Sequence, residues 1–236
     1  MLKDFVQFLL DLKRPETVEA LGNTYSTRSL HRLNVEHDVD TINIQSLSGL
    51  VDYIRSNFDH DRPLMIHVES PTKVNVFDAL NDVNDRRTYI TSKALLPNIR
   101  FEQFMSREAF NIMLQSCFVS NSEKEKVLQV IASIVEENSI TQSDDGVTQR
   151  VTAKQGIATV GIENIPNPVS LKPFRTFVEV IQPESSFILR LREGGQVALF
   201  EADGGAWELN AMHSIKDYLE ENLKELIEKN MVTIIA

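Results

Sequence analysis

The stretch "SSFILRLREGGQVALFEADGGAWELNAM", residues 185–212, decides how the rest of the chain is read. Taken as a hairpin, it turns on Gly194 and Gly195, because two glycines supply the positive φ values that a two-residue turn requires. The register that follows sets Arg192 against Val197, Arg190 against Leu199 and Ile188 against Glu201. Leu191, Leu189 and Phe187 then oppose Ala198, Phe200 and Ala202, an entirely apolar set that forms the core face. Glu201 lies diagonal to Arg190 in this register, within reach of a cross-strand ion pair. Gly204 and Gly205 break the strand, and Asp203 or the glycines cap a helix that starts near Ala206. Trp207, Ala211, Ile215, Leu219 and Leu223 recur at helical spacing as one apolar stripe, with Trp207 as the anchor of the helix on the sheet.

Two chemical readings compete with this structural junction. Glycines before a helix amino terminus can cradle a phosphate, but two carboxylates precede this turn, and neither G-x-x-x-x-G-K-[ST] nor G-x-G-x-x-G occurs. Glu201 and Asp203 share a strand face and could hold a divalent metal, yet two oxygen donors need further ligands that the sequence does not identify.

Outward from this segment the pattern is that of an α+β fold. Asp145-Gly146 stands between two β-compatible runs, a hairpin signal. Ser106 can cap a helix bearing Phe110, Met113, Leu114 and Cys117. Ser122 and Glu125 form a capping box for the next helix, which buries Val127, Ile131, Ile134 and Val135, so the two helices read as an antiparallel pair. Upstream, residues 64–69 and 73–77 are β-rich runs broken by Ser70-Pro71, another strand spans 87–94, and residues 42–57 read as a strand leading into a helix. The expectation is an antiparallel sheet built from several hairpins, with a central helix pair and a long carboxy-terminal helix. Residues 1–40 read as a short helix and a polar arm, and residues 41–236 as the α+β domain.

Composition narrows the function. Across 236 residues the formal charge is −10, with 42% hydrophobic and 25% charged residues, an ordinary folded chain. Net acidity argues against broad attraction to nucleic acid, which rests on many cations releasing counterions. A local basic groove with Arg86, Arg87, Lys93 and Arg100 near Tyr89 and Phe101 is the exception to consider. No apolar run approaches the roughly 20 residues of a membrane span. The amino terminus reads as an amphipathic helix rather than a signal peptide, so the expected location is cytoplasmic. Cys117 is the single cysteine, which forbids an internal disulfide and removes the usual zinc sites; in its helical pattern it reads as a buried, inert thiol. His31, His37, His60, His67 and His213 show no metal-binding spacing, and no G-x-S-x-G elbow or E-x-K tripeptide occurs. His67 and Glu69 share a strand face and are the remaining acid/base pair to consider. No cofactor or metal is expected.

The segment from Asn167 to Leu219 is similar to the end of the YfdQ-like proteins, the domain-of-unknown-function family DUF2303 of phages and prophages. The features that carry the resemblance are Pro173 to Phe177, Gln182-Pro183, the Phe187 to Arg190 strand, and Phe200 to Trp207; upstream, residues 42–57, 66–78 and 99–110 fit more loosely. The resemblance implies a phage gene product acting in a bacterial host, and it brings no catalytic residues with it. Arg175, Gln182, Glu201, Asp203 and Trp207 match the similar segment, and with Arg190 they are the candidate interaction or junction site. The expected function is that of a non-enzymatic accessory protein, a homo-oligomer or the partner of a phage or host protein. The alternatives are a factor in phage DNA replication or recombination that contacts single-stranded nucleic acid, and a metal-dependent hydrolase centred on Glu201 and Asp203.

Overall fold

The computed structural model of the chain describes residues 3, 5, 6, 16–20, 23–26, 40–59, 62–80, 86–133, 141–144, 148–155, 158–192 and 194–236. Contacts divide the chain into two units, Met1–Asp38 and Val39–Ala236. In the first, β1 (Thr17–Ala20) and β2 (Asn23–Ser26) form an antiparallel hairpin, where the sequence suggested only a polar arm. Lys3, Phe5 and Val6 are helical; the rest of the expected amino-terminal helix lies outside the described residues.

The second unit holds two helix-covered sheets. Its strands and helices run β3 (Ile42–Ile44), α1 (Leu47–Ser56), β4 (Leu64–Ser70), β5 (Lys73–Asp78), β6 (Thr88–Lys93), β7 (Met105–Ser106), α2 (Arg107–Cys117) and α3 (Ser122–Ser133). There follow β8 (Thr141–Asp144), β9 (Thr148–Gln155), β10 (Ala158–Pro166), β11 (Val169–Leu171), β12 (Ser185–Arg192), β13 (Gln196–Glu201), α4 (Ala206–Asn222), α5 (Lys224–Glu228) and β14 (Val232–Ile235). The class is α+β, as expected.

One sheet has five strands in the order β14-β4-β5-β6-β3. The β4–β5 hairpin and β6 are antiparallel, as their alternation predicts, but the two outer strands join in parallel: β14 on β4 and β3 on β6. The sheet is therefore mixed rather than antiparallel throughout. Leu64, Ile66, Val68, Val74, Val76, Ile90 and Val232 alternate onto one face, where α1 contributes Leu47, Leu50, Val51 and Ile54 and α4 contributes Ile215 and Leu219. Every one of these side chains is buried.

The second sheet, β11-β12-β13-β7, is antiparallel and packs on the helix pair. Phe110, Met113 and Leu114 of α2 and Val127, Val130 and Ile131 of α3 meet Val169, Leu171, Phe187, Leu189, Leu191, Val197 and Leu199. Ser106 caps α2 by accepting from the Ala109 N–H at 3.3 Å. The cap of α3 is Asn121, whose Oδ1 accepts from the Lys124 N–H at 2.7 Å, one residue before the expected capping box. β8, β9 and β10 form a third, antiparallel sheet; the Asp145-Gly146 turn, Ile134 and Val135 lie outside the described residues.

The hairpin that opened the sequence analysis forms, with a register one residue away from the expected one. Arg192 pairs with Gln196, Leu191 with Val197, Leu189 with Leu199 and Phe187 with Glu201. The reason lies in the loop: Gly194 and Gly195 both adopt positive φ, 76° and 66°, but the closing pair is Arg192 with Gln196, so the turn is longer than two residues. A one-residue slip exchanges the faces of β13. Leu199 and Val197 take the buried positions facing α2 and α3, and Phe200 turns to the opposite face, half-buried against Phe104.

The long helix is also two. α4 ends at Asn222, α5 begins at Lys224, and Leu223 between them has φ −112° and is buried in the core of the five-stranded sheet. On α4, Lys216 pairs with Glu220 at 3.7 Å.

Candidate functional site

Residues 172–184 carry the chain from one core to the other. Their start is fixed to the end of α2: the Val119 N–H donates to the Lys172 carbonyl at 2.8 Å and the Phe174 N–H to that of Cys117 at 2.9 Å. Farther on, Phe177 and Val180 enter the core of the five-stranded sheet. The Thr176 hydroxyl donates to the Pro71 carbonyl at 2.6 Å, tying this segment to the β4–β5 turn.

Gln182 holds the segment in shape. Its Oε1 accepts from the Arg175 and Thr176 N–H groups at 3.0 and 3.3 Å, and its Nε2 donates to the Phe177 and Val180 carbonyls at 2.9 and 3.3 Å. The amide thus uses both donor hydrogens and both acceptor sites of its oxygen on backbone that has no ladder to join. Glu179 docks the same loop on α1: its Oε1 accepts from the Leu47 and Ser48 N–H groups at 2.8 and 3.2 Å, placing a negative charge at the positive end of the helix.

Arg175 is the centre of the arrangement. Its side chain is only 7% exposed, and it forms ion pairs with Glu201 at 2.5 Å and Asp203 at 3.7 Å. Its Nη2 also donates to the Ser185 hydroxyl. The guanidinium lies over the Trp207 ring, 3.9 Å from the centroid, and 5.7 Å from that of Phe187. Burial pulls the Arg175 pKa below its ordinary value, while Glu201 and Asp203 act in the opposite direction. An arginine suits this position because its planar fork serves several acceptors while its face stacks on an indole.

Five of the six sequence-derived residues, Arg175, Gln182, Glu201, Asp203 and Trp207, therefore converge. Arg190 does not: it sits opposite Ala198 on β12, facing away from Phe187 and Leu189. The expected Glu201–Arg190 pair is replaced by Glu201–Arg175, because the shifted register carries Glu201 to the face of Phe187. Trp207 is half-buried as a cover on the guanidinium; the helix is anchored by Ala211, Ile215 and Leu219, each fully buried. Gly205, with φ 81°, occupies the cap position of α4, and Asp203 Oδ1 accepts from its N–H at 3.2 Å.

The other chemical readings find different surroundings. Among the described residues no group of three or more His, Cys, Asp and Glu side chains is placed to hold a metal ion. Cys117 is 8% exposed in the core beside α3. Glu69 gives its carboxylate to Lys73 and Asn75, whose hydrogen bonds hold its pKa below the ordinary value, and His67 lies against Phe77. The basic groove of residues 86–101 is divided: Tyr89 is buried beside α1 and α4, while Phe101 stacks on Phe187 in the other core at 5.3 Å.

Sequence reasoning missed Thr176, Glu179, Ser185 and Lys124. The Lys124 ammonium is buried at the end of α2, donating to the Gln115 and Phe118 carbonyls at 3.1 and 2.7 Å; burial pushes its pKa down. Their partners are distant or irregular backbone groups, which no local pattern announces. No family model, curated protein or solved structure matches this chain.

Proposed function

We propose that the chain acts without chemistry of its own, as a self-assembling accessory protein of the phage-infected bacterial cytoplasm that the DUF2303 resemblance implies. The observation that carries this reading is the edge of the five-stranded sheet. β14 reads Val-Thr-Ile-Ile, four β-branched residues in succession with no charge, proline or bulge, and among the described residues no strand lies beyond it. Edge strands that must stay single are protected by such devices. At the opposite edge β3, Ile-Asn-Ile, is equally uncharged. Ile235 and Ile42, at 42% and 43% exposure, present apolar surface at the two edges.

β14 and β3 run in the same direction, so β14 of one copy can extend the sheet of the next at β3 and repeat head to tail. This arrangement yields a ring or filament larger than a dimer. The Arg175 cluster supports the same reading, since its carboxylates are engaged in holding the fold. Among the described residues no helix is long and apolar enough to cross a membrane.

Light scattering on the eluting protein tests the proposal. The wild type should have a mass of three or more times 26.8 kDa, and Thr233→Lys/Ile235→Lys, which charges two exposed edge positions, should shift the population to smaller species. A monomeric wild type at micromolar concentration, or an oligomer indifferent to the double substitution, would overturn it.

A further inference from the structure

Helix α2 buries Phe110, Leu114 and Cys117 in the core of the antiparallel sheet, while a neighbouring stripe on the same helix, Ala109, Ile112 and Ser116, stays exposed. Beside this stripe runs the irregular stretch between β6 and β7. Ile99 and Phe101 of that stretch pack on the core, and Asn98 and Arg100 alternate with them to line a cavity of about 350 Å³ against α2. That is the size of a small-molecule site.

The cavity has an apolar wall and a polar one. Met105 of β7 and Ala109, Ile112 and Met113 of α2 make the first; Ala109 leaves the room, and Ile112, 61% exposed, stands at the rim. Ser116 and Cys117 carry the wall on to the end of the helix, so that it follows α2 for roughly two turns, about 12 Å. The Ser116 hydroxyl gives its hydrogen to the Ile112 carbonyl at 2.7 Å and offers no donor to the cavity. Asn98 and Arg100 form the second wall, and neither side chain makes a hydrogen bond or ion pair with another described residue. Among the described residues no carboxylate lines the cavity, although the whole chain carries −10.

We infer that this cavity binds an aliphatic chain ending in one carboxylate, of the kind found in a medium-chain fatty acid. The chain lies along Met105, Ala109, Ile112 and Met113, and the carboxylate meets the Arg100 guanidinium and the Asn98 amide. A guanidinium fork matches a carboxylate in geometry as well as charge. A peptide suits the site less well, because its backbone groups would need partners that the apolar wall does not supply. The cavity lies within one protomer and stands whether or not the protein assembles through β14.

Isothermal titration calorimetry of the full chain with decanoate, kept below its micellar concentration, provides the test. One equivalent should bind. The net charge of −10 favours decylammonium, which has the same tail and a cationic head, so tighter binding of decanoate by about tenfold or more reports the Arg100 wall. Arg100→Gln should weaken decanoate by about tenfold and abolish that preference. Ala109→Leu, at an exposed helical position that accepts leucine readily, should fill the cavity and weaken decanoate by about tenfold or more, with circular dichroism and melting temperature as in the wild type. Lys126→Gln on α3 should bind as the wild type does. Absence of binding at millimolar decanoate, as expected of a groove that docks protein instead, would overturn the inference. So would uptake of several equivalents, decylammonium binding as tightly as decanoate, or unchanged affinity in the Ala109→Leu protein.

Discussion

Replacing Arg175 with methionine keeps an unbranched side chain of similar reach and removes the guanidinium that Glu201, Asp203, Ser185 and Trp207 share. Losing one member of a buried ion pair costs about 3 to 5 kcal/mol when the partner cannot reach water. Glu201 is 38% exposed and regains solvation, so its share is small. Asp203 is 13% exposed and Ser185 is buried; leaving their oxygens without the guanidinium costs about 1 to 3 kcal/mol. The lost stacking on Trp207 adds about 1 to 2 kcal/mol. The sum is roughly 3 kcal/mol, which for a chain of this length lowers the melting temperature by about 6 to 12 °C. Glu201→Gln keeps an oxygen facing Arg175 and should cost less than about 1 kcal/mol. Thermal unfolding followed by circular dichroism compares the two. An Arg175→Met protein as stable as the wild type would refute the junction, and a Glu201→Gln protein destabilised more than Arg175→Met would show that the carboxylate, not the cation, organises the cluster.

The observed hairpin register makes Leu199→Ala cost about 2 to 5 kcal/mol and Phe200→Ala less, the reverse of what the two-residue turn implies; denaturant unfolding of both variants decides between them. Gly205→Ala should cost about 1 to 2 kcal/mol from backbone strain alone, because φ is 81° and an added Cβ meets no atom within 4 Å; an unchanged melting temperature would refute it. Glu69 and Glu184 have pKa values lowered by hydrogen bonds, from Lys73 and Asn75 and from Ser170 and Lys172 respectively. Their stabilisation is complete above the unfolded value of about 4.3 and fades as pH falls through the lower folded values, so Glu69→Gln/Glu184→Gln should flatten the decline of melting temperature below about pH 4.5. A decline as steep as in the wild type would contradict this.

Much of the fold is legible wherever a local rule decides it. Alternation places the β4–β5 hairpin and β6, Ser106 announces α2, and the spacing of Ala211, Ile215, Leu219 and Leu223 marks the buried stripe of α4. What escapes local rules is non-local pairing. β14 and β3 each join a strand through a parallel ladder, and a short apolar run carries no mark of the neighbour it will find. The β12–β13 register depends on loop length, and a double glycine satisfies turns of more than one length. The site residues were picked out as a set by a resemblance, not by any local rule. Their wiring was not, because a single register step moved Glu201 from the side of Arg190 to that of Arg175, which enters from a loop 26 residues earlier.

Assembly through the sheet edge is tested most directly by hydrogen–deuterium exchange at the backbone amides of Val232 to Ile235, measured at low and high protein concentration. Pairing with a second copy predicts slower exchange at the high concentration in this strand and in Ile42 to Ile44, with the amides of α4 unchanged. Exchange in β14 that is the same at both concentrations, for protein whose mass rises between them, would place the contact elsewhere and contradict the account.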